Sequence, residues 1–312
     1  MITSAKPVIS KIKPSAHKSV LLEAVLDGLM LKENDVVVDG TLGGCGHSLS
    51  ICAKLGSDGV LIGLDQDSAV INRAKKAFEG VKPKVILHIA NFRILDEVVR
   101  GEKITKVDKI LLDLGFSSDQ LDYSGRGLSF LRDEPLLMTL TDEVNQNRFT
   151  ARDILNTWEE ENIATIIKEY GEESFAKKIA KAIVKSRINK SIETTFDLVE
   201  IIKSATPSWY HHRKTHPATK TFQALRITVN DEIEALKEGL LNGFNVLAPN
   251  GRMAVISFHS LEDRLVKHFF RERVLLEQGK IITKKPIIPE RLEIQENPRS
   301  RSAKLRIIEK TN

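Results

Sequence analysis

Two short stretches of this chain hold side chains whose order suggests ligand chemistry. Val36-Val37-Val38-Asp39-Gly40-Thr41-Leu42-Gly43-Gly44-Cys45-Gly46-His47 is a β-branched run that ends in an acid and opens into a glycine-rich turn. Leu61-Ile62-Gly63-Leu64-Asp65 is a second apolar run closed by a second acid. In a Rossmann-like sheet, glycines let the first turn approach a nucleoside-containing ligand, and the acid ending the second strand accepts hydrogen bonds from ribose hydroxyls. The dinucleotide pattern G-x-G-x-x-G is not met, because the last glycine position, counted from Gly44-Cys45-Gly46, holds Leu49. That spacing favours S-adenosylmethionine over a nicotinamide dinucleotide. The competing reading is a plain strand-to-helix turn that needs glycine for its geometry alone. Asp65 at the right remove favours the cofactor.

A third acid, Asp113, ends Lys109-Ile110-Leu111-Leu112-Asp113-Leu114-Gly115. Ligand sites of open parallel sheets lie at the carboxyl ends of the strands, so Asp113 is a candidate for cofactor binding or for holding a target amine. The Pro-Pro-aromatic sequence common after this position in amino methyltransferases is missing, and a turn-capping role competes. His259, in Ser257-Phe258-His259-Ser260-Leu261-Glu262-Asp263, lies between a strand and a helix. It is a candidate catalytic, RNA-contacting or turn residue, and Ser260 with Asp263 fits a capping box. His211, His212 and His216 have no glutamate at metalloprotease spacing and no Cys-x-x-Cys nearby, so no metal is expected.

Strand-like runs at Val36–Asp39, Val60–Asp65, Val85–Ile89, Ile110–Leu114 and Met253–Phe258 must position these groups. The early ones alternate with helical patterns, which predicts a parallel sheet covered by helices on both faces. From about 150 to 206 the chain reads as helices, with Phe175, Ile179, Ala182, Ile183 and Ser186 repeating at helical spacing. The expected organisation is an α/β Rossmann-like domain over 17–120 and 216–312, an inserted all-helical substrate-recognition domain over 121–215, and a flexible basic tail over 1–16. One helix is expected from His216-Pro217-Ala218 to about Phe244.

The 312 residues are 41% hydrophobic and 29% charged, which fits an ordinary soluble globular protein with room for a large core. No apolar run approaches a membrane span. Cys45 and Cys52 suggest no disulfide framework, so a cytoplasmic location is expected. The net charge of +5 is mild, but its distribution is not even. Lys177, Lys178, Lys181, Lys185, Arg187 and Lys190 fall within 177–190 without an acid, and 281–312 holds eight basic residues against four acids. Such clusters favour a polyanionic partner, although a solvated helix face competes for each. A homodimer is compatible with the chain.

Taken in order, several long motifs resemble one family: His17-Lys18-Ser19-Val20-Leu21-Leu22-Glu23, Asp39–Gly43, Leu111–Asp122, Arg126–Phe130, Tyr170–Glu173, His216–Ile227, Ile256–Asp263 and Asn297–Ser302. It is the small-subunit ribosomal RNA methyltransferase H family, of MraW type. The resemblance implies a class I S-adenosylmethionine-dependent methyltransferase fold with a helical insert. It implies methylation of the exocyclic N4 of a cytidine in the decoding centre (P site) of 16S rRNA, within the small ribosomal subunit. The cofactor contacts it implies are Cys45, Gly46, His47, Asp65, Phe92, Asp113 and Gln120. Lys178, Lys181, Lys185, Lys220, Arg299 and Arg301 are the expected RNA contacts. The chain departs from the family pattern at Cys45, where glycine is usual, and at Glu134, Leu137 and Thr139, which replace a glycine, an acid and an arginine. A DNA amino methyltransferase and a non-catalytic assembly factor that retains the fold are the rival readings.

Overall fold

The computed structural model describes residues 18–115, 121, 124–141 and 149–311. Its seven strands are β1 (Val36–Asp39), β2 (Val60–Asp65), β3 (Lys84–Ile89), β4 (Val107–Asp113), β5 (Leu247–Ser257), β6 (Gly279–Ile281) and β7 (Lys304–Lys310). They form one sheet in the order β3-β2-β1-β4-β5-β7-β6. The first five are parallel, as the alternating pattern predicts. The other two have no matching signal in the pattern: β7 runs antiparallel between β5 and β6. In sequence Lys304–Lys310 falls within the basic stretch 281–312. In the fold Leu305 and Ile307 join the core on one side of the sheet and Ile308 the core on the other.

Strand residues alternate between those two cores, as a pleated strand buried on both faces requires. Val37, Leu61, Leu111, Ala254 and Ile256 meet α1 (Leu22–Leu29), α2 (Gly46–Lys54) and α3 (Ser68–Ala77). Val38, Ile62, Ile110, Leu112 and Val255 face the opposite way, against α4 (Leu95–Gly101) and later helices.

The helical segment comprises α5 (Ala151–Thr157), α6 (Glu160–Glu169), α7 (Ala176–Arg187), α8 (Thr195–Ala205), α9 (Ser208–His211) and α10 (Thr219–Asn230). Capping boxes of Thr150 with Asp153 and of Thr194 with Asp197 start α5 and α8. Ile179 and Ile183 of α7 are buried, while Lys178, Lys181 and Lys185 are exposed. Phe222, Leu225 and Val229 of α10 belong to the same core as Ile163, Ile179 and Leu198, so the packing of the insert runs past the expected boundary at 215/216.

The single helix expected from 216 to 244 is two. Asp231 adopts a left-handed conformation (φ 52°) between α10 and α11 (Glu232–Val246). α11 then crosses to the sheet, burying Leu236, Leu240 and Phe244 beside Val266 and Phe270 of α12 (Ser260–Leu275). A short α13 (Arg291–Glu296) precedes β7. Among the described residues no helix is long and apolar enough to cross a membrane.

Candidate active site

The carboxyl ends of β1, β2 and β4 lie side by side, with Asp39 in register with Gly63 and Leu111. This brings Asp39, Asp65 and Asp113 to one end of the sheet. The turn after β1 is tied across it: Thr41 Oγ1 accepts from the Asp113 amide at 2.7 Å, and the Thr41 amide donates to Asp39 Oδ1 at 3.0 Å. Ser48 Oγ donates to Asp39 Oδ2 at 2.6 Å. Asp39 is therefore consumed in shaping the turn. Gly46 sits where an added Cβ would lie 2.1 Å from Ser19 Oγ, so a side chain cannot be accommodated without moving Ser19.

Asp65 steadies the same loop from β2. Its Oδ2 accepts from the Gly43 amide at 3.0 Å and its Oδ1 from the Asp67 amide at 2.9 Å. His47 donates through Nε2 to the Val20 carbonyl at 2.9 Å, which turns Nδ1 towards Asp113 Oδ2 at 3.4 Å. The other oxygen, Asp113 Oδ1, is buried and has no hydrogen-bond partner among the described residues. Burial pushes the carboxyls of Asp65 and Asp113 up to about 6. For Asp65 the two amide donors oppose this, and for Asp113 the neighbouring His47 does.

A cleft opens beside these acids. Of the cofactor contacts the resemblance implies, Gly46, His47, Asp65, Phe92 and Asp113 line it, beside Gly43. Cys45 does not: it is buried at the N-cap of α2 with φ 63°. Gln120 lies outside the described residues. Phe92 is wedged in place, since an added Cβ at Gly239 would lie 2.4 Å from its ring.

The far wall was not legible in the sequence. Leu140, Asn230, Glu232, Ala235, Leu236, Phe258 and Glu262 all reach the cleft. Asn230 anchors the rim, accepting from the Leu140 amide at 2.9 Å and donating to the Met138 carbonyl at 2.8 Å. Glu232 is held by both Nε and Nη2 of Arg226, at 2.8 and 2.9 Å.

The capping box expected from Ser260 and Asp263 is shifted by one residue. His259 caps α12, accepting from the Glu262 amide, and Glu262 accepts in return from the Phe258 and His259 amides at 2.8 and 3.3 Å. Asp263 is drawn away by Lys304 and Arg306 of β7, at 3.0 and 2.7 Å. His259 is thus not among the residues lining the cleft, whereas its partner Glu262 is. Burial works against the Glu262 charge, but His259, the Phe258 amide and the Arg226 charge outweigh it and hold the carboxyl below its ordinary range. Ligating atoms of Glu232, His259 and Glu262 come within 4.8 Å of one another. The Arg226 guanidinium already neutralises Glu232, which makes the cluster a poor seat for a cation.

Of the expected RNA contacts, Arg299 lines the cleft and Arg301 is exposed beside it in sequence. Lys220 donates to the Glu172 carbonyl at 2.6 Å. Lys178, Lys181 and Lys185 lie on α7, in the helical segment.

A doubly covered, mainly parallel sheet with an acid-lined cleft at its strand ends defines a class I S-adenosylmethionine-dependent methyltransferase. The chain belongs to the MraW methylase family, whose model matches residues 14–311. It is 46% identical to "Ribosomal RNA small subunit methyltransferase H" of Clostridium botulinum (strain Loch Maree / Type A3), over 94% of this chain and 98% of that one. It is 41% identical, over the same shares, to the protein of that name from Brevibacillus brevis (strain 47 / JCM 6285 / NBRC 100599). Among solved structures, a putative rRNA-methylase from Clostridium thermocellum aligns with a TM-score of 0.47 at 13% identity, covering 95% of this chain and 97% of that one.

Proposed function

We propose that the protein methylates the exocyclic N4 of a cytidine in the decoding centre of 16S rRNA, in the small ribosomal subunit. The observation that carries the reading is the cleft at the strand ends, with Asp113 of β4 in its lining, in a chain of the MraW methylase family. The cleft suits S-adenosylmethionine: carboxylates complement a sulfonium and ribose hydroxyls, and Phe92, Ala235 and Leu236 offer an apolar wall for adenine. Asp65 is the ribose acceptor, the Gly43–Gly46 backbone gives close approach, and His47 holds Asp113 in place.

When bound, S-adenosylmethionine supplies an electrophilic methyl group whose carbon–sulfur bond breaks, the electron pair staying on sulfur, as the new carbon–nitrogen bond forms. The cytosine amine is a poor nucleophile because its lone pair is delocalised into the ring. The protein must chiefly align donor and acceptor, a contribution on the order of 7–11 kcal/mol. In this reading Asp113 contacts the cofactor, and its cleft-facing carboxylate also accepts a hydrogen bond from N4, which localises the lone pair towards the methyl group. The proton that N4 loses passes to Asp113 or to water. A carboxyl pushed up to about 6 is suited to that exchange near neutral pH. His259 acts by holding Glu262 at the cleft wall. The target must be unstacked to enter, which calls for a loop or single-stranded RNA. Lys178, Lys181 and Lys185, outward on the helical segment, supply phosphate contacts together with Arg299, which lines the cleft, and the exposed Arg301.

The test is to map N4-methylcytidine in small-subunit rRNA from cells with and without the protein, and to offer purified protein labelled cofactor with small subunits or with DNA. Label in RNA at a single cytidine is expected. Label in DNA, or none despite cofactor binding, would overturn the reading.

A further inference from the structure

α9 carries a cluster of rings that the cleft does not use. Trp209 stands 5.8 Å from Tyr210 at 89° and 6.0 Å from Phe175. Tyr210 is buried, its hydroxyl donating to the buried Glu173 Oε2 at 2.5 Å, so the cluster is anchored from beneath. Trp209 is nevertheless 56% exposed.

Cations surround it. The Arg213 guanidinium carbon lies 4.8 Å from the Trp209 ring centre and 5.0 Å from that of Tyr210. Lys178 Nζ lies 5.6 Å from the Phe175 ring centre, and Lys181 and Lys185 continue the exposed face of the same helix. Among the described residues, none of these four cations is paired with a carboxylate. The next residues outward, His212 and Lys214, are exposed as well.

An exposed indole rimmed by unpaired cations does not suit an apolar protein partner, which would require apolar neighbours around the ring. It does suit a single-stranded nucleic acid, whose bases present π-faces and whose backbone presents phosphates. We propose that Trp209 is a stacking platform for an unpaired base of the RNA substrate, with Arg213 closing the stack and Lys178, Lys181 and Lys185 following the adjoining phosphates. The platform is separate from the cleft that takes the target base, so it reads a second nucleotide and sets how the RNA is held. The inference rests on the RNA methyltransferase reading above.

In a Trp158→Phe background Trp209 is the sole tryptophan. A short unstructured oligoribonucleotide is expected to quench its fluorescence. Trp209→Ala should weaken binding of that oligonucleotide about five- to hundredfold, the range for removing one base–aromatic stack, and Trp209→Phe should restore most of it. Because no charge is removed, Trp209→Ala should leave the salt dependence unchanged, whereas Lys181→Gln should flatten it by about 0.7 in log–log slope. Cofactor affinity in each variant, measured by calorimetry, reports an intact fold. Wild-type affinity in Trp209→Ala, or RNA binding without quenching, would overturn the platform alone. Failure of the wild-type protein to bind RNA would overturn both the platform and the substrate reading.

Discussion

His47 Nδ1 lies 3.4 Å from Asp113 Oδ2, and the ring is fixed from its other side by the Val20 carbonyl at 2.9 Å. One oxygen of Asp113 is thereby directed, while the other, Oδ1, is buried without a partner among the described residues. The pair joins the glycine-rich turn to the end of β4. Asp113→Ala should lower methyl transfer at least tenfold, about 1.4 kcal/mol of transition-state stabilisation. Single-turnover rates at saturating cofactor separate its two roles. A rate restored by saturation would make Asp113 a cofactor ligand alone.

The acids predict a pH dependence of opposite sign for stability and for binding. Asp65 and Asp113 rise from an ordinary 3.8 to about 6 in the fold because burial disfavours their charge. The folded state therefore holds more protons than the unfolded one between those values. Their contribution to stability is full below about pH 4 and is lost as pH rises through about 6. Ligand-free protein should show this decline in denaturant titrations, reduced in Asp65→Asn. Cofactor affinity should fall on acidification through the same range, since a protonated Asp65 accepts ribose hydroxyls poorly. Isothermal titration from pH 5 to 8 measures it, and a flat profile would remove Asp65 from the ribose site.

Cys45 gives a test of backbone strain. Its φ of 63° costs a non-glycine residue about 1–2 kcal/mol, while its buried side chain returns about 1 kcal/mol. Cys45→Gly should therefore be more stable than Cys45→Ala by about 1 kcal/mol, reversing the usual order of the two residues. Denaturation midpoints of the two variants give the comparison. The thiol is pushed up to about 11 by burial and by the charges of Asp39 and Asp65, so it should also resist alkylation at pH 8 until the protein unfolds.

The lysine face of α7 makes a separable prediction. Replacing Lys178, Lys181 and Lys185 together with glutamine should weaken binding to small subunits and flatten the salt dependence by about 0.7–0.9 for each phosphate that is no longer neutralised. Thermal stability should not change, because these side chains are exposed. Filter binding across a salt series is the measurement. An unaltered slope would assign them to solubility.

Neighbouring residues alone specify those parts of this protein that a local pattern can express. A β-branched run ending in Asp39, the following glycine turn, and runs ending in Asp65 and Asp113 are such patterns, and each forms where its residues place it. The lysine and isoleucine positions of α7 separate by helical period and do so in the fold. The C-terminal strands, the break at Asp231 and the cleft's far wall arise instead from packing between distant segments. Lys304–Lys310 becomes a strand because β5 and β6 flank it, and this in turn draws Asp263 to Lys304 and Arg306. That pull decides between two adjacent caps with nearly equal local claims, leaving His259 and Glu262 to start α12. Asn230 and Glu232 likewise reach the site because the helix breaks at Asp231, where Asn230 is tied to the rim at Met138 and Leu140. Such contacts join residues tens to hundreds of positions apart, and hydrophobic period and capping preference carry no record of them, since both act over a few turns of one element.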